Sequence, residues 1–409
     1  MFNISKTFCI LPFVHLSTRT NGDMQLCCHC NSSGISGINH QDNEIINLKD
    51  KDPKKYWNTD FYKSIRKKLL NNKIPEQCKV CFNEEKLGYK SKRLWENEEW
   101  SKKISFEEII SNCTDGESKY DIKYLDLKLG NNCNFECITC NAADSSRVYK
   151  KFQNIKLNNS EIQNYISYGL NEKYDWFKNN PKFWNSIYNS LDNIQGIYII
   201  GGEPTINKEF DNLLEKCIET GNANHIKLRF NTNGSTLTNK QISMYKEFKE
   251  VIINLSLDGI EEYHEKIRRP SKWKDMLSNI KRYEDLSKNK NITVDIDCTV
   301  SILNINHIPD FIKWKLKNLS NINSKSFRGL IGLHLLYYPK FLSIKCLSED
   351  EKKAVTKKFQ ELKIWLKNNI SEKASKYPKL DAIVNHINSE DWFYKKKHTE
   401  EYLCKTIRN

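Results

Sequence analysis

Asn131-Asn132-Cys133-Asn134-Phe135-Glu136-Cys137-Ile138-Thr139-Cys140 holds three cysteines at the spacing Cys-x3-Cys-x2-Cys. Residues 124–129 lead into it as an alternating apolar run that ends at Gly130, the period of a strand. A helix-like segment follows. The cysteines are therefore expected on a loop at the C-terminal end of a first strand, where barrel and open α/β folds carry their chemistry. Three thiolates can hold three irons of a four-iron cluster and leave one iron open, whereas a structural metal site closes with a fourth ligand.

Downstream, strand-like runs near 122–129, 196–200, 225–231, 251–257, 292–301 and 330–337 alternate with helical segments. That order predicts a parallel sheet built from right-handed βαβ units. The first connection is long, and residues 156–195 read as two extra helices carrying Trp176 and Trp184. Buried parallel strands are normally continuous apolar runs, and these are not. Asp126 and Lys128 alternate with Leu125, Leu127 and Leu129; Asn254, Ser256 and Asp258 with Ile253, Leu255 and Leu257; Asp295, Asp297 and Thr299 with Val294, Ile296, Cys298 and Val300. One face is thus expected to meet helices and the other to line a polar, ligand-holding cavity. Asp295 and Asp297 are candidates for substrate contact, unless they only satisfy Lys128.

Upstream, residues 8–16 and 23–26 are short apolar runs joined through Asn21-Gly22, the pattern of a β-hairpin. Trp57, Phe61, Ile65 and Leu69 recur every four residues, one face of an amphipathic helix over 53–72. Cys9, Cys27, Cys28, Cys30, Cys78 and Cys81 cluster here, so the segment reads as a small module that depends on metal. Residues 94–118 read as a polar, helical linker. Beyond 340 the pattern is helical and charged: a helix over 349–369 with Val355, Phe359, Leu362 and Leu366 inward, then two short helices within 378–404 with Trp392, Phe393, Tyr394 and Tyr402.

The chain has 409 residues, 14 of them cysteine, with 65 basic against 51 acidic residues and a net charge of +14. No run of about 18 apolar residues suggests a membrane span. The start, Met1-Phe2-Asn3-Ile4-Ser5-Lys6, shows no charged leader before an apolar stretch, so a cytoplasmic location is expected. Clustered cysteines in that compartment point to metal or redox chemistry rather than disulfides. The positive charge is compatible with nucleic acid, but it is spread along the chain without a concentrated patch, which favours an ordinary solvated surface. Cys113, Cys217, Cys298, Cys346 and Cys404 stand alone, and lone cysteines are usually small buried hydrophobes.

The cysteine triad after a strand resembles the signature of the radical S-adenosylmethionine (SAM) superfamily. Gly201-Gly202-Glu203-Pro204, at the end of the second strand, is similar to the family's GGEP motif, which implies that Glu203 contacts the amino group of SAM. Asn231-Thr232-Asn233-Gly234 ends the third strand, where the family contacts ribose. Ser256-Leu257-Asp258-Gly259, followed by His264 and Arg268, resembles the SxDG…H…R pattern of the peptide-modifying branch; Ser256 and the arginine would steady the SAM carboxylate. Thr139 departs from the aromatic residue that many members carry before the third cysteine. The N-terminal module resembles a SPASM/Twitch auxiliary-cluster domain placed ahead of the barrel. This implies a second [4Fe–4S] cluster on Cys9, Cys27, Cys78 and Cys81, with Cys28 able to replace Cys27 and Cys30 or His29 as further ligands. A zinc site on the same four cysteines is the rival reading.

The resemblance implies an α/β chain: an N-terminal iron–sulfur module over 1–95, a linker over 96–119, a partial (β/α)6 barrel over 120–340 and a helical extension over 341–409. The implied activity is reductive cleavage of SAM at the [4Fe–4S] cluster to a 5′-deoxyadenosyl radical, which abstracts a hydrogen atom from a peptide or protein side chain. Modification of a nucleotide, sugar or nucleic acid, and a non-catalytic iron–sulfur or zinc protein, are the alternatives. The implied partners are the peptide or protein substrate and an external flavodoxin- or ferredoxin-type reductant, with no membrane.

Overall fold

The computed structural model describes residues 4–30, 36–86, 90–325, 330–370, 377–389 and 396–407. Trp392, Phe393 and Tyr394, and the first three residues of the chain, lie outside them. In chain order the strands that matter are β1 (His15–Thr18), β2 (Met24–Gln25), β3 (Tyr124–Lys128), β4 (Gly196–Ile200), β5 (Lys227–Thr232), β6 (Glu250–Ser256), β7 (Ile292–Val300) and β8 (Gly332–Leu335). Contacts divide the chain into two units. The first holds residues 1–131, 172–202 and 207–228; the second holds 132–171, 203–206 and 229–409.

In the first unit β1 and β2 form the expected antiparallel hairpin, Ser17 opposite Gln25. Residues Leu11–Val14, expected to be extended, form one helical turn instead, with Pro12 in its first turn, a position that proline favours. β1 also pairs in parallel with β3, Ser17 opposite Asp126, and β3 with β4. The predicted amphipathic helix begins later than its periodicity suggested, at Asp60, with Thr59 as its N-cap and Pro53–Tyr56 as a separate 3-10 turn. Trp57, Phe61, Ile65 and Leu69 are all buried. Trp184 lies in the Pro181–Tyr188 helix, but Trp176 lies in a turn before it. The Trp176 indole donates to the Lys128 carbonyl, and such a tertiary tie does not follow helical spacing.

In the second unit β6, β7 and β8 pair in parallel: Ser256 opposite Asp297, and Asp297 opposite Gly332. Val251, Ile253 and Leu255 of β6, and Val294, Ile296, Cys298 and Val300 of β7, form the buried apolar face. The alternate face is polar as expected, yet Asn254 and Asp295 on it are also buried. A solvated outer face is thereby excluded at those positions. The Glu349–Asn369 helix has the predicted bounds, capped reciprocally by Ser348 and Glu351. Val355, Phe359, Leu362 and Leu366 are fully buried, each contributing roughly 1.5–3 kcal/mol. A core of Ile138, Phe152, Ile162, Tyr165, Phe341 and Tyr402 brings the C-terminal Lys396–Ile407 helix to the segment that follows the cysteine loop. Cys217, Cys298 and Cys346 are buried as expected, while Cys404 is exposed, because it lies on the outer side of that helix. Among the described residues no helix is long and apolar enough to cross a membrane.

Candidate functional site

The cysteine loop is irregular backbone, and its groups find partners one by one. Ser145 caps the Ser146–Phe152 helix and donates to the Phe135 carbonyl at 2.7 Å. The Cys133 N–H reaches Ser146 Oγ at 3.2 Å. Glu136 and Ile138 donate from their backbones to the carbonyls of Arg269 and Ile267. From the far end of the chain, Tyr402 donates its hydroxyl to the Ile138 carbonyl at 2.9 Å. A loop so tied presents its three thiols in a fixed arrangement.

Burial raises all three thiol pKa values: Cys133 above its ordinary value, Cys137 to about 12 and Cys140 well above. Cys133 and Cys137 add to the rise at Cys140, which places the three thiols within electrostatic reach of one another. A metal centre here must therefore displace protons. Arg268 assists: its guanidinium lies 4.0 Å from Cys137 Sγ and lowers the pKa of Cys133 and Cys137. The donor set fits an iron–sulfur cluster with three protein ligands, a chemistry in which thiolates are the preferred partners.

Glu203 is 2% exposed. Its Oε1 accepts from Thr205 N, Thr205 Oγ1 and Thr232 Oγ1 at 3.0, 2.8 and 2.6 Å, and its Oε2 from Asn233 N at 2.5 Å. Burial still outweighs these donors, so its carboxyl pKa is raised. A carboxylate accepts about four hydrogen bonds, two per oxygen, so Oε1 is saturated and Oε2 has room for one more donor. The Glu203 N–H bonds the Asn132 carbonyl. Asn233 Nδ2 donates to Asn134 Oδ1 at 2.8 Å, and Asn134 Nδ2 to Ser235 Oγ at 2.8 Å. Hydrogen bonds thus tie the cysteine loop to the turns at 203–206 and 231–235.

Asp258 is fully buried, with Oδ2 2.8 Å from Arg268 Nε and Oδ1 accepting from Thr299 N at 2.8 Å. Burial alone would lower the Arg268 pKa, but Asp258 and Cys137 outweigh it and raise it instead. Asn231 stands 2.8 Å from the Asn254 side-chain amide, and Ser256 is half-buried at the end of β6. His264, the histidine of the SxDG…H…R pattern, is fully buried, and burial pushes its pKa down to about 3. It is a neutral core imidazole packed on Trp273. On the polar face, His334 Nε2 lies 3.2 Å from Asp297 Oδ1.

The second unit thus brings together Cys133, Cys137, Cys140, Glu203, Asn233, Asp258 and Arg268, and also holds Pro204, Asn231 and Ser256. Gly201 and Gly202 fall in the first unit, both at positive φ. A Cβ on Gly201 would meet the Gly130 carbonyl at 2.8 Å, so only glycine fits that crossing. Asn132, Asn134, Thr205 and Thr232 escaped the sequence reading, although each sits inside or beside a quoted motif. Tyr402 carried no local signal at all.

The N-terminal thiols lie in the first unit. Cys9 is within electrostatic reach of Cys27, Cys78 and Cys81, Cys78 also of Cys81, and Cys30 of Cys27 and Cys78. Cys28 is exposed; its largest charged neighbours are Asp126, Lys92, Lys128 and Glu96, and it also lies within electrostatic reach of Cys27.

Residues 127–314 match the family model of the Radical SAM superfamily. An uncharacterized protein of Methanocaldococcus jannaschii is 24% identical over 291 residues, 70% of this chain and 86% of that protein. Streptococcus suis SuiB, solved with its precursor peptide SuiA, is 18% identical with a TM-score of 0.32. That match covers 48% of this chain and 37% of the solved one. Native anSMEcpe with bound AdoMet is also 18% identical, at a TM-score of 0.35 and 60% of each chain. The chain therefore spans less than two thirds of either solved protein.

Proposed function

We propose, for a chain whose residues 127–314 match the family model of the Radical SAM superfamily, that Cys133, Cys137 and Cys140 hold a [4Fe–4S] cluster at which SAM is reductively cleaved. The bound cluster and SAM supply a 5′-deoxyadenosyl radical for hydrogen-atom abstraction from a substrate. The observation that carries the reading is one loop with three half-buried thiols, hydrogen-bonded to the Glu203 and Asn233 turns.

The chain's own residues then have definite tasks. Glu203 Oε2 takes an N–H of the SAM amino group, a charge-assisted bond made in a desolvated place. Gly201, Gly202 and Pro204 shape the backbone that approaches the cofactor. Asn231 and Asn233 serve the ribose. Ser256 and Arg268 steady the carboxylate, with Asp258 fixing the direction of the guanidinium. Cys9, Cys27, Cys78 and Cys81 hold an auxiliary [4Fe–4S] cluster. The substrate is a peptide or protein side chain, supported by the SxDG pattern and the cysteine-rich module; the net charge of +14 favours nucleic acid or nucleotide as a second reading. An external flavodoxin- or ferredoxin-type protein supplies the electron, and the setting is cytoplasmic.

Anaerobically reconstituted protein, reduced with dithionite in the presence of SAM, is expected to release 5′-deoxyadenosine, and Cys137→Ser to release none. An iron-loaded wild-type protein that forms no 5′-deoxyadenosine would remove the enzymatic reading. A short peptide encoded beside this chain supports the peptide substrate, and sugar- or nucleotide-handling neighbours the second reading.

A further inference from the structure

The N-terminal thiols have a charge partner of their own. Arg93 stands at the start of the Lys92–Ser101 helix, most of which reads in the sequence as linker, and is 7% exposed. Its Nη1 donates to the Phe8 carbonyl at 2.7 Å, one residue before Cys9. Its guanidinium carbon lies 4.6 Å from the centre of the Phe82 ring, one residue after Cys81. Asn97, one turn further along the same helix, holds Cys9 from both sides. Its Nδ2 donates to the Phe8 carbonyl and its Oδ1 accepts from Ile10 N, each at 2.9 Å. One helix therefore fixes the backbone around Cys9 and brings a cation to the flanks of both Cys9 and Cys81.

Glu85 sets the direction of that cation. Arg93 Nε and Nη2 meet Glu85 Oε1 and Oε2 at 3.0 and 2.5 Å, a bidentate pair whose side chains are 8% and 18% exposed. Glu85 follows Cys81 by four residues in the Lys79–Lys86 helix, so the two share a face. The pair acts differently on each thiol. Burial raises the pKa of Cys9 and of Cys78, and Arg93 opposes that rise at both, with Glu96 as the counteracting carboxylate at Cys9. Burial also raises Cys81, where Glu84 and Glu85 add to the rise and the Arg93 backbone N–H and the Ser91 side chain oppose it. The ion pair thus turns its positive end to Cys9 and Cys78 and its negative end to Cys81. The net charge around an iron–sulfur cluster is one of the quantities that set its potential, and burial strengthens the effect of each charge.

We propose that the Arg93–Glu85 pair sets the reduction potential of the auxiliary cluster on Cys9, Cys27, Cys78 and Cys81, the guanidinium raising it and the carboxylate lowering it. This rests on the auxiliary cluster proposed above. Arg93 acts through the thiolates, so it is a positioning residue. The step it governs is the gain of one electron by [4Fe–4S]2+ to give [4Fe–4S]+, in which no bond forms or breaks and no proton moves.

The test uses the full chain carrying Cys133→Ala, Cys137→Ala and Cys140→Ala, reconstituted anaerobically, so that only the N-terminal cluster takes an electron from dithionite. A potentiometric titration followed by electron paramagnetic resonance is expected to show a fall of about 59 mV or more in Arg93→Gln, a tenfold shift in a one-electron equilibrium. Arg93→Lys, which keeps the charge, should fall by less, and Glu85→Gln should rise. Loss of structure alone does not produce shifts of opposite sign, and Glu85→Gln decides the question by itself if Arg93→Gln takes up no iron. Unmoved potentials, or shifts of one sign at full iron content, overturn the proposal. In the chain with all its cysteines, about four rather than about eight irons would overturn the auxiliary cluster and this proposal with it; about eight irons with unmoved potentials would overturn this proposal alone.

Discussion

Arg268 Nε lies 2.8 Å from Asp258 Oδ2, with the arginine side chain 11% and the aspartate 0% exposed. The same guanidinium faces Cys137 Sγ at 4.0 Å. Its charge is thus shared between a carboxylate and a thiol that must become a thiolate when metal binds. Removing one member of a buried ion pair leaves the other charge uncompensated, at about 3–5 kcal/mol. Arg268→Met should therefore destabilise the metal-free chain by that amount, and Arg268→Met with Asp258→Leu by clearly less. Urea unfolding of the two variants checks this; equal losses would mean that the pair is not coupled.

Glu203 holds four protein donors, and an amide in its place would turn an N–H toward at least one of them. Glu203→Gln should weaken SAM binding to the reconstituted protein by about 10-fold or more, the scale of a lost charged hydrogen bond of 1.5–3 kcal/mol. Thr205→Val, which removes one donor from saturated Oε1, should have a smaller effect. Equilibrium dialysis with labelled SAM separates the two, and equal affinities would exclude a Glu203 contact to the cofactor.

His264 gives the chain a defined sensitivity to acid. Its pKa is near 3 when folded, against an ordinary value of 6.5. Below 6.5 the unfolded chain takes up a proton that the folded chain refuses until about pH 3, so stability falls as pH drops through that window. The contribution is fully present above 6.5. The slope from this group approaches about 1.4 kcal/mol per pH unit. Urea unfolding of metal-free protein between about pH 6.5 and pH 5 should show a shallower loss in His264→Phe than in wild type; parallel curves would contradict a buried neutral imidazole.

Gly332 stands opposite Asp297 in the β7–β8 ladder, and a Cβ built on it would come 2.0 Å from Asp297 Oδ1. That oxygen also lies 3.2 Å from His334 Nε2. Gly332→Ala should cost about 1–3 kcal/mol through overpacking, and Asp297→Ala should relieve most of that cost. A double-mutant cycle by chemical unfolding measures the coupling, and additive losses would show that the glycine serves only the backbone.

β5, β6 and β7 were legible because each keeps a period of two over six or more residues, and burial of the apolar positions follows that period. The Glu349–Asn369 helix was legible to its ends because Ser348 and Glu351 form a local capping box. Trp176 and the Leu11–Val14 turn were misread because tertiary hydrogen bonds and a proline decide them, not periodicity. At the site, the residue types were legible and their pairings were not. Nothing near His264 in sequence says that its ring is buried, and nothing near Ile138 says that its carbonyl is bound by Tyr402.

The sequence by itself determined that Cys133, Cys137 and Cys140 share one loop after a strand, since three thiols within eight residues cannot be far apart. It also determined that Glu203, Asn231 and Ser256 follow or end strands of the same alternating pattern. Only the tertiary structure decided that Asp258 holds Arg268 against Cys137, that Glu203 Oε2 carries a single protein donor while Oε1 carries three, and that Cys30 joins the N-terminal thiols. Spacing along the chain fixes local proximity. Charge partners and buried hydrogen bonds depend on which distant segments pack together, and packing is a property of the whole fold.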